Sequence, residues 1–327
     1  MSSITIIDMT QSKKALIVGV SGQDGTYLAE LLLSKGYEVV GTTRDIFSST
    51  FANLKKINID QDVSLVSMDV EDFRSVLSVI KATKPDEIYN LAGQTSVGLS
   101  FERPVEAIQS IAIGTLNILE AIRFLDLPIR FYNAGSSECF GDTHGQKANE
   151  NTPFIPRSPY AVAKVTAAGL VNNYQESYNI YACTGILFNH ESPLRSERFV
   201  TQKIIHAAAN IKKNRTTQLK LGNIDISRDW GWASDYVNAM WLMLQQDQPN
   251  NFVIATGRTE SLSYFVERTF QFFDLDWKDY VSIEPSLLRP SDIQYGAADP
   301  SKAFQCLGWE AKYDIDDVIQ MMCEASV

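Results

Sequence analysis

Histidine and cysteine are scarce in this sequence: its 327 residues include three histidines and four cysteines. The histidines are scattered, and no two cysteines form the C-x-x-C pair that zinc sites commonly use, so we expect no metal centre. The cysteines also lack the regular spacing of a disulfide-stabilised secreted domain. The sequence therefore predicts reduced thiols in a cytoplasmic protein.

Positive charge is in deficit, with 29 lysines and arginines against 39 aspartates and glutamates and a net charge of -10. A chain with this balance is a poor candidate for binding DNA or RNA, because such binding depends on neutralising many phosphates. A single nucleotide ligand is not excluded, since a few clustered arginines can bind one diphosphate within an acidic protein. We expect no nucleic-acid partner.

Long apolar runs are missing as well. No run approaches the ~20 residues that a membrane-spanning helix needs, and residues 1–14 lack the basic start and apolar stretch of a signal peptide. Hydrophobic residues still make up 45% of the chain and charged residues 21%, a composition typical of globular proteins with a sizeable core. We therefore expect a folded protein with no membrane segment.

The first half of the chain alternates short apolar runs with longer amphipathic segments, which is the pattern of a doubly wound parallel sheet. The predicted strands lie at 15–20, 38–42, 63–67, 87–91, 130–134 and 181–188. After residue 188 the alternation weakens. The predicted fold class is α/β: a Rossmann-type dinucleotide-binding domain at 1–188, to which segments near 229–256 return, and a smaller, mixed α/β C-terminal substrate domain at 189–327.

A glycine-rich sequence, GVSGQDG, connects the first predicted strand to the first predicted helix. Its glycines permit a tight turn and let the backbone approach a pyrophosphate at the N-terminus of the helix. The spacing alone is a weak signal, because glycines also simply end strands, but its place inside a βαβ unit favours a dinucleotide site. The residues predicted to bind the cofactor here are Gly19, Gly22, Gln23, Asp24 and Gly25.

Arg44, just after the second predicted strand, bears on the identity of the dinucleotide. NAD-binding proteins of this type usually place an acidic residue at the strand end, where it binds the ribose 2′-hydroxyl. Here Thr43 ends the strand and Arg44 follows it, and a cation there suits the 2′-phosphate of NADP. A solvated surface arginine beside Asp45 is the alternative. We predict NADP as the cofactor, with NAD as the second possibility.

Two further strand ends are predicted to line the cofactor. Asp69 and Val70 follow the third strand and are placed to meet the adenine edge. Leu91, Ala92 and Gly93 follow the fourth strand with small or apolar side chains. Each segment is also compatible with an ordinary loop.

Tyr160 and Lys164 form a Y-x-x-x-K pair on one face of a predicted helix that precedes the sixth strand. A lysine ammonium near the phenol is expected to lower the pKa of the tyrosine from its reference value of ~10. The phenolate can then take a proton from a hydroxyl while hydride leaves the carbon. Such pairs are common by chance, and the position of this one within the fold makes it a catalytic candidate.

Ser136 and Glu138 follow the fifth predicted strand, at the same edge of the sheet. The serine hydroxyl can bond to the substrate hydroxyl that is oxidised. The glutamate adds a base that can remove a proton next to a new ketone, and then an acid for a departing hydroxyl. Simple hydride transfer or 4-epimerisation does not need this carboxylate. The alternative for Glu138 is a helix cap or a surface ion pair.

Together these motifs resemble the GDP-mannose 4,6-dehydratases, a family of extended short-chain dehydrogenases/reductases. The resemblance runs nearly from end to end. The matching segments are GQDGTYL (22–28), SFE (100–102), GSSECFG (135–141), SPYAVAK (158–164), LFNHESP (187–193), FVT (199–201), LGN (221–223), RDWG (228–231), VIATG (253–257), RP (289–290) and DPSK (299–302).

The resemblance implies a nucleotide-sugar 4,6-dehydratase acting on GDP-mannose or a related GDP-sugar. Tyr160, helped by Lys164, would deprotonate the sugar 4-hydroxyl, and Glu138 would take the C5 proton and assist loss of the 6-hydroxyl before hydride returns to C6. Ser136 and Glu138 would both contact the substrate. The implied cofactor contacts are His190 and Arg195, and the implied contacts to the nucleotide diphosphate are Asn189, Val200, Lys203, Arg228, Arg289 and Asp292.

Four positions depart from the family pattern. Ser136 stands where threonine is common and keeps the hydroxyl. Asp45 replaces a second arginine in a loop that touches NADP and a neighbouring subunit in relatives. Leu194 replaces the first of two arginines after the ESP sequence. Trp232 replaces a histidine in a segment expected to face the sugar, so a heptose in place of mannose stays open.

Oligomerisation and other activities complete the expectations. Helices at 107–121 and 160–174 resemble the dimer-forming pair of the family, so a homodimer or homotetramer is expected, although core packing would give similar apolar stripes.

A 4-epimerase or 4-reductase would not use Glu138. A non-catalytic NADP-binding sensor would tend to lose Tyr160 or Lys164, and the arginines disfavour a free sugar as substrate.

Overall fold

The chain is described by a computed structural model over residues 12–215 and 218–327. Residues 1–11, most of the segment that was inspected for a signal peptide, lie outside the described residues. The strands are β1 (Lys14–Val18), β2 (Glu38–Thr43), β3 (Ser64–Ser67), β4 (Glu87–Asn90), β5 (Arg130–Ala134), β6 (Lys147–Ala148), β7 (Ala182–Leu187), β8 (Asn189–Glu191), β9 (Leu219–Leu221), β10 (Ser227–Trp232), β11 (Phe252–Ile254), β12 (Thr259–Ser261), β13 (Val281–Ile283) and β14 (Ala297–Ala298).

Helices alternate with these strands through the first half of the chain and cluster in the second. The α-helices are α1 (Gln23–Ser34), α2 (Ala52–Lys56), α3 (Phe73–Thr83), α4 (Val97–Glu102), α5 (Pro104–Ala107), α6 (Gly114–Leu125), α7 (Pro159–Tyr178), α8 (Val200–Lys212), α9 (Ala233–Leu244), α10 (Leu262–Phe272), α11 (Ser301–Leu307) and α12 (Ile315–Glu324). A π-helical segment (Ile108–Ile113) connects α5 to α6, and short 3-10 helices lie at Ser137–Phe140, Trp277–Asp279 and Pro285–Leu287.

Seven parallel strands form the central sheet, in the order β11-β7-β5-β4-β1-β2-β3. The chain moves outward from β1 to β3 and then crosses to β4 on the other side of β1. This reversal creates the crevice at the carboxyl ends of the strands where open α/β sheets bind ligands. The predicted doubly wound parallel sheet is therefore confirmed.

The first strand is shorter than predicted and the sheet is wider. β1 ends at Val18 because Gly19 turns the backbone with a positive φ of 93°. The seventh strand, β11, pairs with β7 and was not among the predicted strands. At three residues it is too short to show a period-2 pattern in the sequence.

Side-chain caps decide where the helices beside the crevice begin. The Asp72 carboxylate accepts a hydrogen bond from the Arg74 amide and starts α3. The Ser158 hydroxyl accepts one from the Ala161 amide and starts α7, with Pro159 in the first helical position. This cap places Tyr160 in the first turn of α7, next to the carboxyl end of the sheet.

The continuous helix at 104–125 qualifies the expectation that no segment reaches membrane-spanning length. Its 22 residues are long and apolar enough to cross a bilayer by length and composition. More than half of its most apolar part is buried inside the protein, as in the core helix of a globular protein. In the middle of this helix the π-helical segment interrupts the regular α-helix that the sequence predicted.

Elements of the second half pack around an apolar cluster of their own. α8, α10 and α12 contribute Ile204, Phe265 and Val318, each with no exposed surface. β10 pairs with β8 in parallel and with β12 in antiparallel orientation beside this cluster. α9 instead packs on α1, against the central sheet.

A buried carboxylate secures the edge of the sheet opposite the crevice. Glu87, the first residue of β4, has a side chain only 1% exposed. Its Oε1 accepts hydrogen bonds from Lys13 Nζ (3.1 Å), the Tyr37 hydroxyl (3.0 Å) and Gln245 Nε2 (3.1 Å). Its Oε2 accepts one from the Tyr89 hydroxyl at 2.7 Å. Since Gln245 follows α9, this carboxylate ties that helix to the sheet.

We expect Glu87→Gln to lower the free energy of unfolding by about 3 kcal/mol, because the change removes the charge that pairs with Lys13 and turns an amide NH2 toward buried donors such as the Tyr89 hydroxyl. The matched control is Glu38→Gln, which breaks the Lys14–Glu38 pair, whose glutamate is 50% exposed. That change should cost less than about 0.5 kcal/mol. Urea unfolding of both variants checks the prediction, and equal losses would contradict it.

Candidate active site

A cavity of about 380 Å³ opens at the carboxyl ends of β5 and β7. All four predicted catalytic residues line it, together with every residue predicted to hold the nucleotide diphosphate. Of the predicted cofactor residues, Asp24, Leu91, His190 and Arg195 also line it. The remaining cofactor candidates lie outside its lining: Gly19, Gly22, Gln23, Gly25, Arg44, Asp69, Val70, Ala92 and Gly93.

Tyr160 and Lys164 lie side by side as the helical spacing predicts, but their electrostatics differ from the expectation. Burial raises the pKa of Tyr160, while the Ser136 hydroxyl and the charge of Arg195 act in the opposite direction. Lys164 directs its ammonium to the Ala134 carbonyl oxygen at 2.6 Å, and burial lowers its own pKa to about 8. The pKa of Tyr160 therefore lies above its reference value and not below it as expected, because desolvation of the phenol is the largest effect.

Glu138 is a partly buried carboxylate near two cations. Burial raises its pKa, and the charges of Arg228 and Arg289 oppose the rise. Arg228 is 5% exposed and donates to the carbonyl oxygens of Ser227 (2.9 Å) and Ile293 (2.8 Å). Glu138 therefore neither caps a helix nor forms a surface ion pair, the two alternative roles considered for it.

Asp292 holds the two arginines of this cluster. One of its carboxylate oxygens, Oδ1, lies 3.4 Å from Nη2 of Arg228 and 3.6 Å from Nη1 of Arg289. Arg228 and Arg289 thus bring two positive charges and several N–H donors to this end of the cavity, beside the carboxylates of Asp292 and Glu138. This end suits a doubly charged diphosphate.

The glycine loop has the shape and donors that a pyrophosphate requires. A Cβ on Gly25 would lie 2.4 Å from the carbonyl oxygen of Gly19, so no larger residue fits there. Among the described residues, the backbone N–H groups of Gln23, Asp24 and Gly25 have no backbone acceptor, and no side chain caps α1. Free donors at a helix N-terminus form an anion site, so these residues fit a dinucleotide.

Asp24 and His190 form a buried contact that links this loop to β8. Nε2 of His190 lies 2.9 Å from Oδ2 of Asp24, and its Nδ1 lies 2.7 Å from the Phe188 carbonyl oxygen. A carbonyl and an ionised carboxylate only accept, so this pair of neighbours favours the imidazolium, in which both ring nitrogens donate. Burial lowers the pKa of His190, but Asp24 outweighs it and raises the pKa. The pairing in turn holds the pKa of Asp24 at about 2 against the effect of its burial.

Arg44 and Asp45 do not pair with each other at the end of β2. Arg44 is exposed. The Asp45 carboxylate instead accepts a 2.9 Å hydrogen bond from the Phe47 amide in its own loop. Thr43 and Ser49 bring their hydroxyl oxygens to 3.0 Å from each other beside Arg44.

The other predicted cofactor segments serve the packing of the crevice. The Asp69 carboxylate accepts from the Glu71 amide at 3.0 Å, and the Val70 carbonyl oxygen accepts from Asn117 at 2.8 Å. A Cβ on Gly19 would lie 3.1 Å from Cα of Ala92, so the loop packs closely on the end of β4. Both segments lie at the carboxyl edge of the sheet, as predicted.

Two of the departures from the family pattern are displaced from the cavity. Trp232 packs edge-on against Tyr313, with ring centroids 6.4 Å apart, and Trp230 lines the cavity in its place. The segment expected to face the sugar thus reaches the cavity through Trp230, and Trp232 lies two residues, or ~6–7 Å, further along the strand. Leu194 is 5% exposed, and its carbonyl oxygen accepts from Asn53 of α2.

Sequence reasoning missed two charged residues of the cavity lining, Glu191 and Arg198. Glu191 stands within LFNHESP, so its place in that segment was an available signal. Arg198 lies between two matching segments and carried no signal. Among the described residues, no group of three or more His, Cys, Asp or Glu side chains is arranged to hold a metal ion.

The sequence matches a protein family described as GDP-mannose 4,6 dehydratase over residues 16–322. GDP-mannose 4,6 dehydratase 1 of Arabidopsis thaliana is 44% identical over 97% of this chain and 91% of its own length. GDP-mannose 4,6-dehydratase of Sinorhizobium fredii is 45% identical over 95% of each chain.

Solved structures with the same fold are less similar in sequence. The dTDP-glucose 4,6-dehydratase of Bacillus anthracis, in complex with NAD, has a TM-score of 0.83 at 19% identity over 96% of both chains. The UDP-glucose 4-epimerase of Thermus thermophilus, with NAD, has a TM-score of 0.83 at 22% identity over 96% and 98%. RMD from Pseudomonas aeruginosa, complexed with NADPH, has a TM-score of 0.78 at 20% identity over 96% and 97%. At these identities the likeness shows the fold alone.

We expect the stability that His190 contributes to decline with rising pH. Its folded pKa lies above the unfolded value of ~6.5, so the contribution is complete below that pH and is lost as pH rises through the folded pKa. The difference in unfolding free energy between the unmodified protein and His190→Gln should therefore shrink from pH 6 to pH 9, by at most about 1.4 kcal/mol per pH unit. Urea unfolding without added cofactor measures it.

The control for this pH series is His144→Gln, because the His144 side chain is 88% exposed. The difference in unfolding free energy between His144→Gln and the unmodified protein should stay constant from pH 6 to pH 9. A His190→Gln difference that is also constant with pH would mean that His190 folds as the neutral ring.

Proposed function

This chain belongs to the GDP-mannose 4,6-dehydratase family, and we propose that it converts GDP-mannose to its 4-keto-6-deoxy derivative with the loss of one water. The observation that carries this function is the carboxylate of Glu138 in one cavity with Ser136, Tyr160 and Lys164. A 4-epimerase or 4-reductase does not need that carboxylate. A sensor or binding protein needs none of the four.

The residues of the chain divide the proton transfers between them. Tyr160 takes the proton of the sugar 4-hydroxyl, and Ser136 bonds to the same oxygen. Glu138 then removes the C5 proton, which the ketone at C4 makes acidic, and gives a proton to the departing 6-hydroxyl. A glutamate whose pKa burial raises can serve first as base and then as acid near neutral pH. A bound nicotinamide would accept the hydride from C4 and return it to C6. The proton held by Tyr160 would then go to C5, which completes the 4-keto-6-deoxy sugar and restores the phenolate.

The substrate enters with its diphosphate against the cations of the cavity. Arg228 and Arg289 flank Asp292 near Glu138, and Lys203 lines the same cavity. This arrangement supports binding of a diphosphate beside the catalytic carboxylate and disfavours a free sugar. Because Trp232 packs away from the cavity, it gives no reason to prefer a heptose over mannose.

The residues at the end of β2 favour NADP over NAD as the nicotinamide cofactor. Arg44 is exposed at the end of β2 and is not neutralised by Asp45, whose carboxylate bonds within its own loop. The hydroxyls of Thr43 and Ser49 bond to each other in the same segment. An arginine with neighbouring hydroxyls suits a 2′-phosphate, whereas NAD sites usually offer an acidic residue.

Assembly as a homodimer through the helix at 104–125 and α7 is part of the proposal. Along these two helices Val105 (66%), Ile113 (40%), Phe124 (68%) and Val162 (43%) are exposed apolar side chains, a pattern that marks a protein contact.

The cysteines are all free thiols, which fits a reducing, cytoplasmic location. Residues 1–188 would bind the cofactor and 189–327 the nucleotide sugar.

The central test is Glu138→Gln, which keeps the size of the side chain and removes the base. We expect turnover of GDP-mannose to fall at least about 100-fold while the cofactor stays bound, since the cofactor site is not altered. Mass spectrometry of the nucleotide sugar measures the loss of water. Glu310→Gln, at an exposed position outside the cavity, is the matched control. Full activity of Glu138→Gln would remove this residue from the mechanism.

Arg44→Ala tests the cofactor. We expect the Kd for NADP to rise about 10- to 100-fold and the Kd for NAD to stay unchanged, because only NADP carries the 2′-phosphate that a charge-assisted hydrogen bond would hold. Isothermal titration with each dinucleotide gives both constants. Asp45→Asn, in the same loop, is the control and should not weaken NADP. Equal effects on the two dinucleotides would contradict the assignment.

A further inference from the structure

Glu191, the last residue of β8, is a buried carboxylate that the proposed reaction does not use. Its side chain is 2% exposed although it lines the cavity. Burying a carboxylate is costly unless it is paired or hydrogen-bonded. Its Oε2 accepts a 2.7 Å hydrogen bond from the Thr201 hydroxyl and lies 3.4 Å from Nε of Arg195. Glu191 therefore connects the start of α8 to an arginine of the cavity.

Arg195 is held on a second side by an aromatic ring. Its Cζ lies 3.8 Å from the centre of the Phe199 ring, a cation–π distance. Its Nε has no aligned acceptor, so the contact with Glu191 is an ion pair and not a hydrogen bond. Neither contact uses the two terminal nitrogens of the guanidinium. That fork of donors can therefore meet an anion in the cavity that Arg195 lines.

The charge of Arg195 reaches both the cofactor loop and the catalytic tyrosine. Burial acts to raise the pKa of Asp24, but His190 and, to a smaller extent, Arg195 help to hold it at about 2. Burial also raises the pKa of Tyr160, and Arg195 is among the groups that oppose this rise. The charge of this guanidinium therefore acts on both groups. Its orientation consequently matters for cofactor binding.

We propose that Glu191 is a positioning residue that holds the guanidinium of Arg195 with its terminal nitrogens toward the anionic part of the nicotinamide dinucleotide. Without the carboxylate, Arg195 keeps its stacking on Phe199 but loses the charge that fixes its rotation. This inference rests on the proposed function in one respect, the assignment of Arg195 to the cofactor.

The first experiment is Glu191→Gln, which keeps an acceptor for the Thr201 hydroxyl and removes the charge. The Kd for NADP, measured by isothermal titration without any sugar nucleotide, is expected to rise about tenfold. The matched control is Glu260→Gln. Glu260 pairs with Nε of Arg258 at 3.2 Å, outside the cavity, so its loss should leave the Kd unchanged.

A double-mutant cycle separates positioning from a purely structural role. In an Arg195→Gln background, Glu191→Gln is expected to have no further effect on the Kd, because the residue through which it acts is gone. An equal tenfold loss in both backgrounds would mean that Glu191 acts on the fold and would overturn the proposal. An unchanged Kd in the single variant would overturn it as well.

A second variant keeps the test valid if Glu191→Gln does not fold. Glu191→Asp retains the charge but is one methylene shorter, so it moves away from Nε of Arg195, and the same cycle applies to it. Failure of the proposed function is distinguishable, because it would appear as no loss of water from GDP-mannose with the unmodified protein, a measurement that does not depend on the Kd for NADP. Binding by the unmodified protein with no effect of either Glu191 variant refutes only the positioning role.

Discussion

The buried ion pair between Asp24 and His190 is the contact on which the geometry of the cavity depends. It joins the first turn of α1, whose free N–H groups face the crevice, to β8, which carries Asn189 and Glu191 into the cavity. Gln23 strengthens the same link, because it donates to the His190 carbonyl oxygen at 3.1 Å and accepts from Ser192 at 2.8 Å. The loop expected to hold the cofactor and the strand expected to reach the substrate therefore keep one relative position.

Burial then sets the chemistry of the groups that this frame holds. It raises the pKa of Glu138 and lowers that of Lys164 to about 8, so it brings both groups closer to the neutral range in which proton transfer is efficient. It also raises the pKa of Tyr160, a cost that nearby positive charge must offset when the tyrosine acts as a base. The cations of the cavity thus have two tasks: they bind anions, and they adjust the catalytic groups.

An acidic protein can bind a dinucleotide and a nucleotide sugar because its cations are concentrated. The chain carries a net charge of -10, yet Arg195, Arg198, Lys203, Arg228 and Arg289 all line one cavity. Carboxylates accompany them at two points, Glu191 beside Arg195 and Asp292 between Arg228 and Arg289. Each carboxylate partly neutralises its arginine and so lowers the affinity of the cavity for anions, but it also fixes the direction of the guanidinium. Orientation, more than the amount of charge, distinguishes this site from a basic surface patch.

By itself the sequence determined what depends on local spacing. The glycine loop, the Y-x-x-x-K pair and Ser136 and Glu138 after a buried strand could be read from the chain, since the carboxyl ends of parallel strands meet at one edge. Only the tertiary structure decided the pairing of Asp24 with His190, 166 positions apart, the turn of Trp232 away from the cavity and the direction of the Tyr160 pKa. Each of these is set by burial and by contacts between distant segments, and a one-dimensional pattern contains neither.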